Sequence, residues 1–394
     1  MGRKVLLILD GASDDPVDEL GGRTPLDAAA TPQMDFLAQR GVVGWAQTVP
    51  PEFTAASDVA NLTLLGHDPR GIYTGRGPLE AAAMGIELAE GELAFRVNTI
   101  SITDDDRMKD YSAGHITTEE AAAVIESCKP IIAANGGTLY AGVQYRHLMR
   151  RWDGLDAGSF PPHDNIGRPL AEMKPGGALG RIVDETRVLL RDHPVNVKRR
   201  AAGKNTVDAL WPWGQGKGVK LRTIQEIYGS SGSLVSAVDL IRGIGVLAGF
   251  RILHVPGITG FYDTNYAGKA EHAIAALKGG DDVVVIHVES PDEAGHAGDA
   301  QEKVRAIEAI DREIVARLVR EIPDLAIAVA PDHATFVKTR VHGSGPVPYL
   351  IADLNHPLKG PAGYAEKYAK GEPIAGIKPF RRLMELDRGG PVPK

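Results

Sequence analysis

DVVVIHVESPDEAGH, residues 282–296, decides the fold: an apolar, β-branched run to Val288 gives way at once to a Pro-punctuated acidic segment that ends in His296. Short apolar runs bounded by turn signals read as buried strands. The same arrangement occurs at Lys4–Leu9, which is followed by Asp10, and at Leu325–Ala330, followed after Pro331 by Asp332 and His333. Phe250–Val255 is a fourth run of this kind. These strands alternate with longer helical patterns, which predicts an α/β chain with a mainly parallel sheet and helices on both faces. In such a sheet the carboxyl ends of the strands share one edge, where ligands bind. Asp10, Asp292, His296, Asp332 and His333 can therefore converge from both ends of the chain.

Each signal is weak alone. Asp10-Gly11 reads as a turn, Asp292-x-x-x-His296 as a surface or capping pair, and Asp332-His333 as an ordinary dipeptide. Their joint placement after three strands points to divalent metal. Oxygen and imidazole donors without thiolate suit manganese, magnesium, cobalt or zinc and do not choose among them. The segment PEFTAASDVANLTLLGHDP, residues 51–69, adds Ser57 ahead of a helical pattern to Leu65. A serine there is an N-cap or, beside a metal and the positive end of a helix dipole, a nucleophile.

The chain of 394 residues carries 43% hydrophobic residues, enough for a sizeable core. The apolar run at Val5–Leu9 is too short for a signal peptide, and no segment reaches membrane-spanning length, so a soluble, cytoplasmic protein is expected. The one cysteine, Cys128, excludes an internal disulfide or a thiolate zinc site and reads as a small buried hydrophobe. A formal charge of −7 argues against nucleic acid and anionic membrane as partners. The charge is uneven: Arg146–Arg222 holds 15 Lys and Arg against 8 Asp and Glu, a balance of +7. That stretch is a solvated basic face or a surface for a small anionic substrate. Gly and Pro punctuate Gly154–Gly180, and Lys198–Arg222 is basic and glycine-rich. An inserted smaller α/β domain at about 89–212, within a discontinuous core of 1–88 and 213–394, follows from this change of texture. Helices are expected at Thr24–Gln39 and Gln301–Glu321, and a loose tail at Arg388–Lys394. Trp211 and Trp213 pack a junction or border a site, and His287 is expected as a satisfied core or sheet-face histidine.

Fourteen stretches make the pattern specific, among them LGGRTPLDAAATPQMD, SDVANLTLLGHDP, YTGRGPLEAAAMGIEL, WPWGQGKG, YDTNYAGKA, ESPDEAGHAGD, PDHAT and HGSGPVP. In this order the chain resembles the archaeal-type branch of the cofactor-independent phosphoglycerate mutases, bacterial members included, within the alkaline phosphatase superfamily. The resemblance implies an alkaline-phosphatase-like core and two divalent ions, manganese first among the four metals. One ion would be held by Asp10, Ser57, Asp332 and His333, and the other by Asp292, His296 and His342. His342 enters only through HGSGPVP. The resemblance also implies substrate contacts from Arg76, Arg96, His115, Arg146, His163, Asp164 and Lys204, since arginine grips phosphate or carboxylate with paired hydrogen bonds.

The implied reaction interconverts 3-phosphoglycerate and 2-phosphoglycerate through a phosphoserine at Ser57, with no bisphosphoglycerate and no nucleotide. Its rivals are a metal-dependent phosphohydrolase, another phosphotransferase such as a homoserine-kinase-like enzyme, and a non-catalytic metal-binding descendant. No Walker or kinase motif is present. Two departures from the family pattern stand out: Ala56 where glycine usually precedes the nucleophile, and Gly345 where aspartate usually precedes Pro-Val-Pro. The oligomeric state is open.

Overall fold

The computed structural model describes residues 2–153 and 158–386, so the tail expected at Arg388–Lys394 lies outside the described residues. Residues up to 72 and from 221 onward form one compact unit, and residues 73–220 form a second.

The larger unit is built on an eight-stranded sheet. Its spatial order is Lys370–Ala375, Gly41–Gln47, Val347–Asp353, Leu325–Ala330, Arg3–Leu9, Val283–Val288, Gly232–Val235 and Arg251–Ile252. The last five run parallel, and Val347–Asp353 is antiparallel to both its neighbours. Every residue of Val283–Val288 and Leu325–Ala330 is buried, as expected of parallel strands covered on both faces. Val5, Leu7 and Leu9 pack on one face with Met34 and Leu37, Ala270 and Ile274, and Ile307 and Ile310. Leu6 and Ile8 alternate to the other face, where the helix Lys378–Glu385 lies on the two central strands.

Three expected elements differ in extent. Thr24–Gln39 divides into helices Pro25–Ala28 and Pro32–Ala38. Thr24 caps the first, accepting from Asp27 N at 3.1 Å. Thr31, preceding Pro32, has φ −122° and ψ 61°, because proline disfavours a helical residue before it. Phe250–Val255 contracts to a two-residue edge strand. Gln301–Glu321 is helical, with a π turn at Asp311–Val315 between Ala300–Ile310 and Ala316–Glu321.

In the smaller unit the strand Leu93–Ile102 pairs antiparallel with Met108–Asp110, Arg146–Arg151 and Ala209–Lys217, and Gly137–Tyr140 adds to Arg146–Arg151. Helices Thr118–Ala134 and Gly177–Leu190 bury Val124, Ile125, Leu179 and Ile182 against this sheet. The unit starts and ends at 73 and 220 rather than the anticipated 89 and 212, because the flanking segments follow their partners. Helix Gly77–Ala83 packs on the strand Leu93–Ile102, and Ala209–Lys217 pairs with that strand as far as Lys217. Cys128 lies in this core, and burial pushes its thiol up to about 12. No helix among the described residues is long and apolar enough to cross a membrane.

Candidate active site

Three strands deliver their terminal residues to one edge of the large sheet. Asp10 follows Arg3–Leu9, and its N–H donates to Val288 O at 2.9 Å. Asp332 and His333 follow Leu325–Ala330 after Pro331. Asp292 and His296 sit one turn apart on the helix Ser290–Ala297, directly after Val283–Val288. His342 comes back by a route no strand-end argument contains. Residues Ala334–Thr335 pair antiparallel with His342–Gly343, with Thr335 opposite His342, so a hairpin after Leu325–Ala330 folds the imidazole back.

Two donor groups result. In each of Asp10, Asp332, His333 and Asp292, His296, His342, one ligand atom per residue lies within 4.8 Å of the others. In the first, His333 Nε2 is 3.6 Å from Asp10 Oδ1 and 3.4 Å from Asp332 Oδ2. Ser57 Oγ is 3.2 Å from the same nitrogen. In the second, His296 Nε2 is 2.8 Å from His342 Nε2 and 3.3 Å from Asp292 Oδ2. The His333 and His342 rings are 4.1 Å apart between centroids, so the two groups adjoin.

The backbone fixes these side chains. Asp332 Oδ1 accepts from Gly11 N at 3.0 Å and His333 N at 2.8 Å, and Asn61 Nδ2 donates to its Oδ2 at 2.8 Å. Asn61 also donates to Ser57 O, tying the serine's helix Ser57–Leu64 to Asp332. His296 Nδ1 lies 3.0 Å from Arg340 O; a proton donated there leaves Nε2 free to ligate. Thr335 Oγ1 donates to Asp292 Oδ1. Gly11 has φ +61°, and a Cβ there would stand 2.5 Å from Asp292 Oδ1, so only glycine fits beside Asp10. Below the site the buried Lys303 Nζ donates to Asp14 Oδ2 at 2.7 Å and Thr335 O at 2.6 Å.

Electrostatics separate the two groups. Burial, with Asp332, Asp292 and Glu289 nearby, holds the Asp10 carboxyl well above the usual range. Burial would also raise Asp292, but hydrogen bonds from His296 and His342 outweigh it and hold that carboxyl well below. Burial would lower His296, and Asp292 reverses this, lifting the imidazole to about 9. His287 is fully buried with Nε2 3.1 Å from Asp10 Oδ2, and burial pushes it down to about 3. It lies in the core, but it is not the satisfied histidine expected: Nδ1 is 3.3 Å from Ser236 Oγ, whereas Nε2 has no hydrogen-bond partner and faces Asp10.

The departures are mild in structural terms. Ala56 has φ −162° and ψ 150°, an extended conformation open to any residue. Gly345 faces open space.

The expected substrate residues all lie in the smaller unit. Rings join five of them. Arg76 and Arg96 lie over Trp213, which is 5.2 Å from His163 between centroids. Tyr111 contacts His163 and Tyr145, and Tyr145 contacts His115 and Arg146. Asp164 is exposed, 3.7 Å from His163, and Lys204 is exposed in the turn after the helix Pro194–Ala201. Sequence reasoning missed Tyr111, Tyr145, Asn61, Lys303 and Thr335. Of these only Asn61, one turn after Ser57 on a helix, had a spacing that could have exposed it.

The family model of 2,3-bisphosphoglycerate-independent phosphoglycerate mutase matches residues 38–196. The chain is 46% identical over 356 residues to the enzyme of that name from Methanothrix thermoacetophila, covering 88% of this chain and 90% of the relative. It is 42% identical over 398 residues to the probable enzyme of that name from Geobacter sulfurreducens, covering 98% and 99%. The solved cofactor-independent phosphoglycerate mutase of Thermoplasma acidophilum matches with a TM-score of 0.60 at 26% identity, covering 98% of this chain and 100% of that one. With this shared length, and with the strand-edge groups in place, the chain belongs to the 2,3-bisphosphoglycerate-independent phosphoglycerate mutase family.

Proposed function

We propose that this chain interconverts 3-phosphoglycerate and 2-phosphoglycerate through a phosphoserine at Ser57, using neither bisphosphoglycerate nor nucleotide. The observation that carries the reading is the meeting of two carboxylate–imidazole groups and a serine hydroxyl at one sheet edge. The activity named for the relatives supports the same choice.

The donors fit divalent ions. Asp10 Oδ1 is buried without a hydrogen-bond partner, and the facing Nε2 atoms of His296 and His342 form a chelating pair with Asp292. Asp10, Ser57, Asp332 and His333 are assigned to one ion and Asp292, His296 and His342 to the other, with manganese first and magnesium, cobalt or zinc as alternatives. Such ions, when bound, favour the serine alkoxide and offset charge on the phosphoryl oxygens.

Ser57 Oγ forms the new bond to phosphorus as the bond to the substrate oxygen breaks, and that oxygen takes up a proton as a hydroxyl of glycerate. The other hydroxyl of glycerate then gives up its proton and displaces Ser57 Oγ. Ser57 opens the helix Ser57–Leu64, whose amino-terminal dipole favours both the alkoxide and the transferred group. Arg76, Arg96, His115, Arg146, His163, Asp164 and Lys204 are assigned to contact the anionic groups of the substrate. Water attack on phosphoserine would release phosphate instead. The partner is thus a small phosphorylated anion and the setting the cytoplasm.

The test incubates the protein with 3-phosphoglycerate and one metal at a time, without bisphosphoglycerate or ATP, and quantifies products by phosphorus NMR after chelation. Accumulation of 2-phosphoglycerate with little free phosphate is expected. Free phosphate alone would replace the mutase with a phosphohydrolase.

A further inference from the structure

Glu80 lies one helical turn after Arg76, at the start of the helix Gly77–Ala83, and its side chain is buried. Its Oε1 accepts from Arg76 Nε at 2.6 Å and also from Arg96 Nη1 on the strand Leu93–Ile102. Burial would raise this carboxyl, but the two guanidiniums outweigh it and hold it below its ordinary value. One ionised carboxylate shared by two arginines leaves a net positive charge.

The pair is held from other directions too. Arg96 Nε donates to Asn98 Oδ1 at 3.2 Å, and Trp213 Nε1 donates to the same oxygen at 2.9 Å. The guanidinium carbons of Arg76 and Arg96 lie 5.6 and 5.3 Å from the Trp213 ring centroid. The ladder between Leu93–Ile102 and Ala209–Lys217 shifts register between Ala94 and Arg96, which sets Arg96 opposite Trp213. A Cβ on Gly77 would fall 2.3 Å from Ala94 O, so the helix start that follows Arg76 is pressed onto the strand that bears Arg96. Free arginine side chains sample many rotamers, and ordering them opposes binding. Here that ordering is built into the fold.

We propose that Glu80 is a positioning residue that holds Arg76 and Arg96 side by side over Trp213 as a preformed seat for one oxyanion group of the substrate. This rests on the reading that these arginines contact phosphoglycerate, and Glu80 acts through them without touching the ligand.

The test uses Glu80→Gln, Arg76→Ala and the double variant in the full chain, with metal. KM for 3-phosphoglycerate should rise about tenfold in Glu80→Gln with kcat within about twofold, and the rise should shrink, leaving only the share carried through Arg96, when Arg76 is already alanine. Inhibition by glycerate or by glycerol 3-phosphate should weaken in parallel, and the one affected identifies the seated group as carboxylate or phosphate. A wild-type KM in Glu80→Gln, or a full effect persisting without Arg76, overturns the positioning role. If Glu80→Gln does not fold, Glu80→Asp, too short to span both guanidiniums, should show the same KM rise; a folded Asp variant with wild-type KM overturns the proposal. An unchanged KM in Arg76→Ala removes Arg76 from the substrate site and overturns the underlying reading as well.

Discussion

The two units gather opposite charges by opposite means. In the larger, carboxylates and imidazoles stand at strand ends, and backbone N–H groups, Asn61 and Thr335 fix them. In the smaller, arginines and histidines are ordered by aromatic rings and one shared carboxylate. The first group is a compact set of oxygen and nitrogen donors suited to divalent metal ions. The second presents cationic hydrogen-bond donors suited to an oxyanion. A chain with a net charge of −7 thereby keeps a local cationic cluster.

The comparison breaks most sharply at the nucleophile. Ser57→Ala should lower isomerisation by at least about 10³-fold, since the covalent step has no substitute. Both ions should still bind if the carboxylates and imidazoles dominate ligation. Isomerisation assays beside metal analysis check this, and near-normal turnover would move the chemistry away from the larger unit.

Next in size is the separation of the two donor groups. Asp332→Asn should strip the Asp10, Asp332, His333 group of its ion while Asp292, His296 and His342 keep theirs. Metal content by mass spectrometry should fall by half. Loss of both ions would mean that the groups act as one.

Asn61→Leu probes the support rather than the ligand. It removes the donor to Asp332 Oδ2 and Ser57 O, and metal affinity or turnover should fall about 10–100-fold. Titration with a competing chelator measures it, and unchanged affinity would show that backbone contacts suffice.

The last prediction belongs to the smaller unit and reads stability rather than metal binding or turnover. His147 is buried, accepts from Gly142 N at 3.1 Å through Nδ1, and is pushed down to about 3 by burial and then by Arg96. The unfolded chain takes up a proton below about 6.5 that the folded one refuses. The stability contribution is therefore full above that pH and is lost as pH falls towards about 3. His147→Asn, which keeps an acceptor and does not titrate, should reduce the slope by up to about 1.4 kcal/mol per pH unit. Denaturation series between pH 7 and 4 test this, and identical slopes would refute it.

Legibility also differed between the units. Asp10, Asp292, His296, Asp332 and His333 were readable because a strand is a local pattern and parallel strands must present their carboxyl ends together. The central strands matched expectation nearly residue for residue, and Leu325–Ala330 did so in full. Thr24–Gln39 did not, because the break before Pro32 is a local backbone effect that outweighs helical periodicity. Arg76 and Arg96 were nameable only through the resemblance, since an isolated arginine carries no spacing signal.

By itself the sequence determined the α/β class, the parallel centre of the sheet and the donors that lie within a few residues of a strand end. Tertiary structure alone decided the return of His342 by a short hairpin, the approach of Asn61 to Asp332 and the sharing of Glu80 between two arginines. The physical reason is range. Strand and helix signals arise between neighbours in the chain, whereas these contacts, apart from the one-turn pair Arg76–Glu80, join residues whose proximity exists only once the sheets and their helices have packed.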